Sequence, residues 1–311
     1  MLLLGNVFWG LSFPVIRAVE MANAAWVPAG SWFVVAYTIA PRFAIALAIV
    51  LVVQARGGYG MTRREFSQGA ILGFFGAGGI LLQNDGLRFT AASTSAFLTQ
   101  FYAVLIPIWL AIRTRRNPGA FVWVSCSLVL TGVAILGRFD WSAMRLGRGE
   151  VETLGSSLFF MGQILYLEDR RFAGNRGSKV TLVMFVGLAF FFGLLAVASA
   201  PSARALVAPW MSPSWLGLTL TLGVFCTVGA FSIMNAWQPK ITATEAGLLY
   251  CTEPIFASAM ALFLPAIFSQ WAGIAYLNES ATLNLAVGGG LVTLANVLIQ
   301  FRRPEPAKNA P

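Results

Sequence analysis

The chain has 311 residues, 58% of them hydrophobic and 11% charged, with a mean hydropathy of +0.74. Soluble domains carry about 25% charged residues, so the composition excludes an ordinary soluble globule and implies a polytopic membrane protein. The net charge of +9 does not call for a nucleic-acid partner, because the basic residues sit in short segments between apolar runs and read as positive-inside anchors.

Apolar runs of about 20 residues mark membrane spans. They fall at 2–22, 34–54, 67–87, 92–112, 119–138, 152–169, 179–200, 214–236, 243–268 and 281–301. The expectation is an all-α polytopic membrane protein with ten transmembrane helices. Breakers separate most runs: Gly57-Gly58, Asn117-Pro118-Gly119, Gly147 to Gly149, Gly174 to Gly177, Pro209 to Pro213 and Gln238-Pro239. The first run lacks a basic lead-in and a cleavage site, so it reads as a span beginning near the initiator rather than as a signal peptide; an upstream start is compatible with it. The polar tail, 303–311, reads as disordered and cytoplasmic.

Lysine and arginine set the orientation. With the N-terminus inside, the inner loops and the C-terminal tail hold fourteen basic residues and the outer loops six, among them Arg17, Arg88 and Arg148. Arg42, near the start of the second span, belongs to neither set. Both termini are therefore expected inside, with an even number of spans, in an inner membrane.

Sliding the chain by 151 residues aligns its halves. Asn84 falls on Asn235, Ser93 to Thr99 on Thr244 to Tyr250, Tyr102-Ala103 on Glu253-Pro254, and Phe8 to Phe13 on Phe159 to Ile164. The expected organisation is a first repeat at 1–140 and a second at 150–302. Five spans per copy is an odd number, so the second copy is inverted. Inverted repeats are a common transporter plan, with the substrate site at the repeat interface near the midplane.

The ninth run, Thr244 to Phe268, carries Glu253 in its middle with Pro254 directly after it. A charge at mid-membrane depth costs about 2.5–3.5 kcal/mol on insertion scales and usually faces a cavity or a partner. Proline removes a backbone donor and kinks the helix. Asp85, Glu168, Glu245 and Glu279 lie near span ends, so Glu253 is the one carboxylate placed well inside a span. Two readings stand side by side: a cavity-facing group that binds a cation or carries a coupling proton, and a structural group accepting hydrogen bonds from donors near Pro254 or from a neighbouring helix.

Helical spacing puts Thr99 with Tyr102 and Tyr250 with Glu253, and the repeat relates the two faces. Tyr102, Tyr250 and Glu253 are expected to line one central space. Trp9, Ser12 and Phe13 form a stripe on the first span, suited to cation–π contact or stacking and equally to packing. Gln163 is a further polar candidate. Asn84 and Asn235 read as cavity-mouth groups or as interhelical hydrogen bonds. Gly69, Gly73 and Ala77, at four-residue spacing, together with Gly132 and Gly288 to Gly290, read as close-packing positions.

Cys126, Cys226 and Cys251 lie in apolar runs with no disulfide or metal-ligand spacing. There is no histidine, which removes the commonest base and near-neutral proton switch. No nucleophile elbow, HExxH or phosphate loop is present, so an enzyme is not expected and no cofactor or metal is implied. The expected partners are a small-molecule substrate and membrane lipid. A channel-like protein and an integral membrane enzyme are the alternatives to a carrier.

Trp9-Gly10-Leu11-Ser12-Phe13 resembles the WGxxF opening of EamA-type members of the drug/metabolite transporter superfamily. Leu98-Thr99-Gln100-Phe101-Tyr102 with Pro107 is similar to that family's fourth span. Leu249 to Phe256, followed by Leu277-Asn278-Glu279, is similar to its LEPVF and L-G-E signatures. Asn278 stands where the family has glycine, and Ala295 stands where the first copy has Gly132. The resemblance implies ten helices, cytoplasmic termini and a cavity lined by spans one, three, four, six, eight and nine. It also implies export or exchange of small metabolites such as amino acids, or of drug-like solutes. Small multidrug-resistance relatives use a glutamate in their first span; none lies between Leu2 and Ile16, so that mechanism does not carry over.

Overall fold

The structure is a computed structural model that describes residues 1–23, 32–55, 57–58, 60–86, 88–90, 95, 98–136 and 147–300. Among these the regular structure is helical. The helices are α1 (Leu2–Asn23), α2 (Trp32–Ala55), α3 (Arg63–Gly86), α4 (Tyr102–Thr114), α5 (Ala120–Leu136), α6 (Arg148–Glu168), α7 (Gly177–Ser199), α8 (Pro213–Lys240), α9 (in three pieces, Ala243–Tyr250, Glu253–Ala261 and Leu264–Ala272) and α10 (Leu283–Gln300). Five of them, α1, α2, α3, α7 and α8, are long and apolar enough to cross a bilayer, and the bent α9 makes a sixth if it is one span. The helices α4, α5 and α10 are apolar but shorter. The chain is thus a multi-pass helical membrane protein, and by helix length and composition alone five or six of the ten expected spans qualify.

The ninth run is not the single helix expected. Pro254 has no N–H to give the Tyr250 carbonyl, and the chain turns at Cys251 and Thr252, whose amides bond back three residues to Leu248 (3.2 Å) and Leu249 (3.1 Å). A second break at Leu262 and Phe263 bends the axis by 57°. Asn278 accepts from the Ala266 amide at 2.7 Å and caps the piece that follows. Asn278 therefore has a structural task. The fourth run also turns, at Gln100 and Phe101, and 151 residues separate these positions from Cys251 and Thr252. The part of this run before Ser95 lies outside the described residues.

The 151-residue offset recurs in the packing. Phe8 meets Phe225 with ring centroids 5.8 Å apart, and Phe159 meets Phe74 at 5.7 Å; each residue of the second half is its counterpart plus 151. A Cβ on Gly229 would lie 3.0 Å from Phe8, and one on Gly78 would lie 2.2 Å from Phe159, again the same pair shifted. At the level of helices, α3 packs on α6 and α7, and α8 packs on α1 and α2; α4 packs on α6, and α9 on α1. The pairs α2–α7, α4–α9 and α5–α10, each five helices apart in order, also pack directly.

Small residues permit these approaches. A Cβ on Gly69 would fall 2.5 Å from Val183, and one on Gly132 would fall 2.7 Å from the Gly288 carbonyl, so the α3–α7 and α5–α10 seams are as close as the spacing predicts. The helix α8 contains one element the sequence did not suggest, a π-helical stretch at Leu222–Gly229. Thr227 Oγ1 donates to the Leu222 carbonyl five residues back at 2.8 Å.

Ion pairs fasten α3 at both ends. Glu65 accepts from Arg176 Nε at 2.7 Å and from its amide at 3.1 Å. Asp85, 1% exposed, accepts from Arg88 at 3.1 Å and from Arg148 at 2.5 Å. Asp85→Asn is expected to cost about 1.5–3 kcal/mol, the range for a hydrogen bond to a charged group. Arg148→Gln is expected to cost less, because Asp85 keeps its pairing with Arg88. Thermal unfolding in detergent checks both, and equal midpoints for Asp85→Asn and wild type would show the cluster to be inert.

Candidate functional site

The site candidates converge where α1, α4 and α9 meet. Asn6, in the first turns of α1, donates from Nδ2 to the Leu249 carbonyl at 2.7 Å and to Thr252 Oγ1 at 2.8 Å. It thereby ties α1 to the first break of α9. One turn on, Gly10 lies against Phe256 and Ala257. Trp9 stands edge-on to Tyr250, with centroids 5.4 Å apart, and to Phe231 at 5.5 Å. From the other side α4 approaches at Gly247, whose missing side chain leaves room for Ile106, Ala103 and Tyr102.

Glu253 opens the second piece of α9 and is partly buried. Its carboxylate forms no hydrogen bond or ion pair among the described residues, and the backbone near Pro254 does not cap it. The electrostatic neighbours are Tyr102 and Cys251. A partner-free carboxylate at the N-terminal end of a helical piece sits where the helix dipole favours an anion. It can accept from a cation or an N–H donor, or hold a proton.

The two tyrosines lie beside this place with their hydroxyls engaged. Tyr102 donates to Gln100 Oε1 at 2.7 Å. Tyr250 donates to Gln238 Oε1 at 2.8 Å, and Gln238 Nε2 donates on to the Ile164 carbonyl at 2.8 Å. A turn lies between Thr99 and Tyr102 and another between Tyr250 and Glu253. Thr99 instead accepts from Gln83 at 3.3 Å. The stripe on α1 is also divided: Trp9 points into the cluster, Ser12 bonds the Trp9 carbonyl at 2.6 Å, and Phe13 is 40% exposed.

The two asparagines differ. Asn84 back-bonds to the Ile80 carbonyl of its own helix at 2.8 Å. Asn235 is buried and donates across to Thr181 Oγ1 on α7 at 2.8 Å, as the interhelical reading has it. Gln163 is buried between α3 and α7, reaching the Leu72 carbonyl at 3.5 Å and Met184 Sδ at 3.8 Å. The described residues contain no group of three or more histidines, cysteines or acids able to hold a metal, and all three cysteines are free thiols.

Sequence reasoning missed three residues. Asn6 was visible as a polar group in an apolar span, but nothing local gave its partner. Gln238 passed for a loop breaker beside Pro239, yet it is fully buried. Arg42 is the third. It stands ten residues into α2, about 15 Å from the Trp32 end at 1.5 Å per residue. It is 7% exposed and donates from Nε to Thr227 Oγ1 in the π-helical stretch at 3.0 Å. The helix α2 begins two residues before the apolar run does.

Comparison with known proteins agrees with this geometry. A search of curated proteins finds no match. A solved structure described as "Crystal structure of protein" superposes with a TM-score of 0.66 at 16% identity, over 94% of this chain and 96% of that one; it shows a shared fold. The model of the EamA-like transporter family matches residues 1–138. That stretch contains the Trp9 to Phe13 and Leu98 to Tyr102 motifs. Over residues 1–138 the chain is thus similar to the EamA-like transporter family, the one that the motifs of the first and fourth spans imply.

Proposed function

We propose that this protein is a secondary carrier for small metabolites, such as amino acids or drug-like solutes, in the inner membrane, with both termini cytoplasmic. It exports or exchanges its solute by alternating access between two inverted halves. The carrying observation is Glu253, a partner-free carboxylate at a helix break between α1 and α4, on the chain of an EamA-like transporter. The 151-residue recurrence of contacts supports two equivalent halves, α1 to α5 and α6 to α10, that rock against each other about the α2–α7, α4–α9 and α5–α10 seams. Trp9, Tyr102, Tyr250 and Glu253 are the solute-facing set. The asymmetry of the halves, Tyr102 against Glu253, assigns any charge-dependent step to the second half.

The test is counterflow in proteoliposomes loaded with a panel of amino acids and cationic drugs, with and without a pH gradient. Saturable flux of at least one solute is expected. Folded protein that moves none of them would overturn the carrier reading, and a unitary conductance would favour a channel.

A further inference from the structure

The first turns of α3 carry an open groove, and none of its residues belongs to the candidate site. Its volume is about 480 Å³, and Met61, Thr62, Arg63, Phe66 and Ser67 line it. Arg63, Phe66 and Ser67 share one side of the helix. That side continues through Ala70 to Phe74 and is exposed throughout. Phe66 is 57% exposed and Phe74 67%. The helix is long and apolar enough to cross a bilayer, so an exposed apolar stripe along it faces acyl chains. Arg63 stands four residues before the apolar run that begins at 67. At 1.5 Å per residue that is about 6 Å along the axis, the depth of the lipid headgroups.

The charges around the groove do not balance. Arg63 and Arg64 form no ion pair among the described residues, and the Lys179 ammonium is given to the Gly58 carbonyl. Glu65, the acid of this turn, is buried and held by Arg176 at 2.7 and 2.9 Å, so its charge is already met. Arg176 also donates to the Gly60 carbonyl at 3.0 Å. Together with the Lys179 bond this pins the chain ahead of the groove, and the rim is set before a ligand arrives. A guanidinium fork matches the oxygens of a phosphate. We propose that the groove binds an anionic phospholipid, its phosphate on Arg63 and an acyl chain along Phe66, Ala70 and Phe74. Free phosphate would meet the arginine but leave the apolar stripe uncovered. A zwitterionic lipid would cover the stripe but leave the local basic excess unbalanced. With the termini cytoplasmic, this end of α3 lies in the cytoplasmic leaflet, where anionic lipids concentrate.

The full chain in detergent is titrated by thermal shift with dioctanoyl phosphatidylglycerol, dioctanoyl phosphatidylcholine and sodium phosphate at matched ionic strength. Phosphatidylglycerol is expected to raise the midpoint at concentrations where the other two do not. Arg63→Gln should weaken that response by roughly tenfold to a hundredfold, the usual effect of losing a hydrogen bond to a charged group. Phe66→Ala keeps the charge and removes part of the stripe, and it should weaken the response roughly tenfold. Arg116→Gln removes an exposed charge from the segment between α4 and α5 and should leave the response within about twofold. All three side chains are exposed, so without lipid each variant should melt with wild type. Phosphatidylcholine as effective as phosphatidylglycerol would overturn the site, and so would phosphate as effective as the lipid. An unchanged response in Arg63→Gln or in Phe66→Ala, or an equal loss in Arg116→Gln, would overturn it as well.

Discussion

Glu253→Gln is expected to abolish pH-gradient-driven accumulation in proteoliposomes while one-for-one exchange of the same solute continues. Glutamine keeps the shape and the hydrogen-bonding capacity of the side chain but has no titratable proton. Stability gives the second half of the test. The carboxylate has no hydrogen-bond or ion-pair partner among the described residues, so the substitution removes no contact. It also removes a charge whose placement at mid-membrane depth costs about 2.5–3.5 kcal/mol. The melting midpoint should therefore hold or rise. A structural carboxylate predicts the reverse, an earlier melt with transport per folded molecule unchanged, and that result would move the coupling role elsewhere. Asn6→Leu offers no such separation, because it deletes both ties to the α9 break and alters position and stability together.

Much of the fold was readable because it is written in local chemistry. The helix α3 ends at Gly86 and α8 at Lys240, close to the expected ends at 87 and 236, since polar groups at Asn84, Asp85 and Gln238 stop the apolar runs. The 151-residue offset was read from Asn84 and Asn235, and the contacts of Phe8 with Gly229 and of Phe159 with Gly78 have the same offset. Pro254 announced a kink, but not the turn at Cys251 and Thr252, which Asn6 ties at Thr252 from 246 residues away. The second α9 break had no signal at Leu262 or Phe263 themselves; its capping group, Asn278, lies twelve residues downstream of Ala266. The π-helical turn could not be seen at all, because it depends on α2 meeting α8 at Gly223 and Thr227. At the site, the 151-residue offset suggested grouping Tyr102, Tyr250 and Glu253. It did not suggest that both hydroxyls are taken up by Gln100 and Gln238, because those partners are set by the turns.

The second large effect is expected at Gly10. An alanine there puts its Cβ 2.7 Å from Phe256 Cβ and 2.9 Å from the Ala257 amide nitrogen. The amide is backbone and cannot rotate away, so α1 and the second piece of α9 must separate. Overpacking of this kind costs about 1–3 kcal/mol. The displacement also moves Trp9 from Tyr250 and strains the Asn6 ties that hold the Glu253 break. Gly10→Ala should thus lower both the melting midpoint and the counterflow rate per folded molecule. Two other glycines isolate the cause. A Cβ at Gly5 meets Ile233 at 3.6 Å, an ordinary contact, and one at Gly193 meets nothing within 4 Å. There the gain in helix propensity, about 1 kcal/mol for alanine over glycine, is unopposed, and both variants should melt no earlier than wild type. If Gly10→Ala behaves as Gly193→Ala does, the α1–α9 contact does not set the site. If it lowers the midpoint but leaves the rate per folded molecule intact, that contact supports the fold without positioning Glu253.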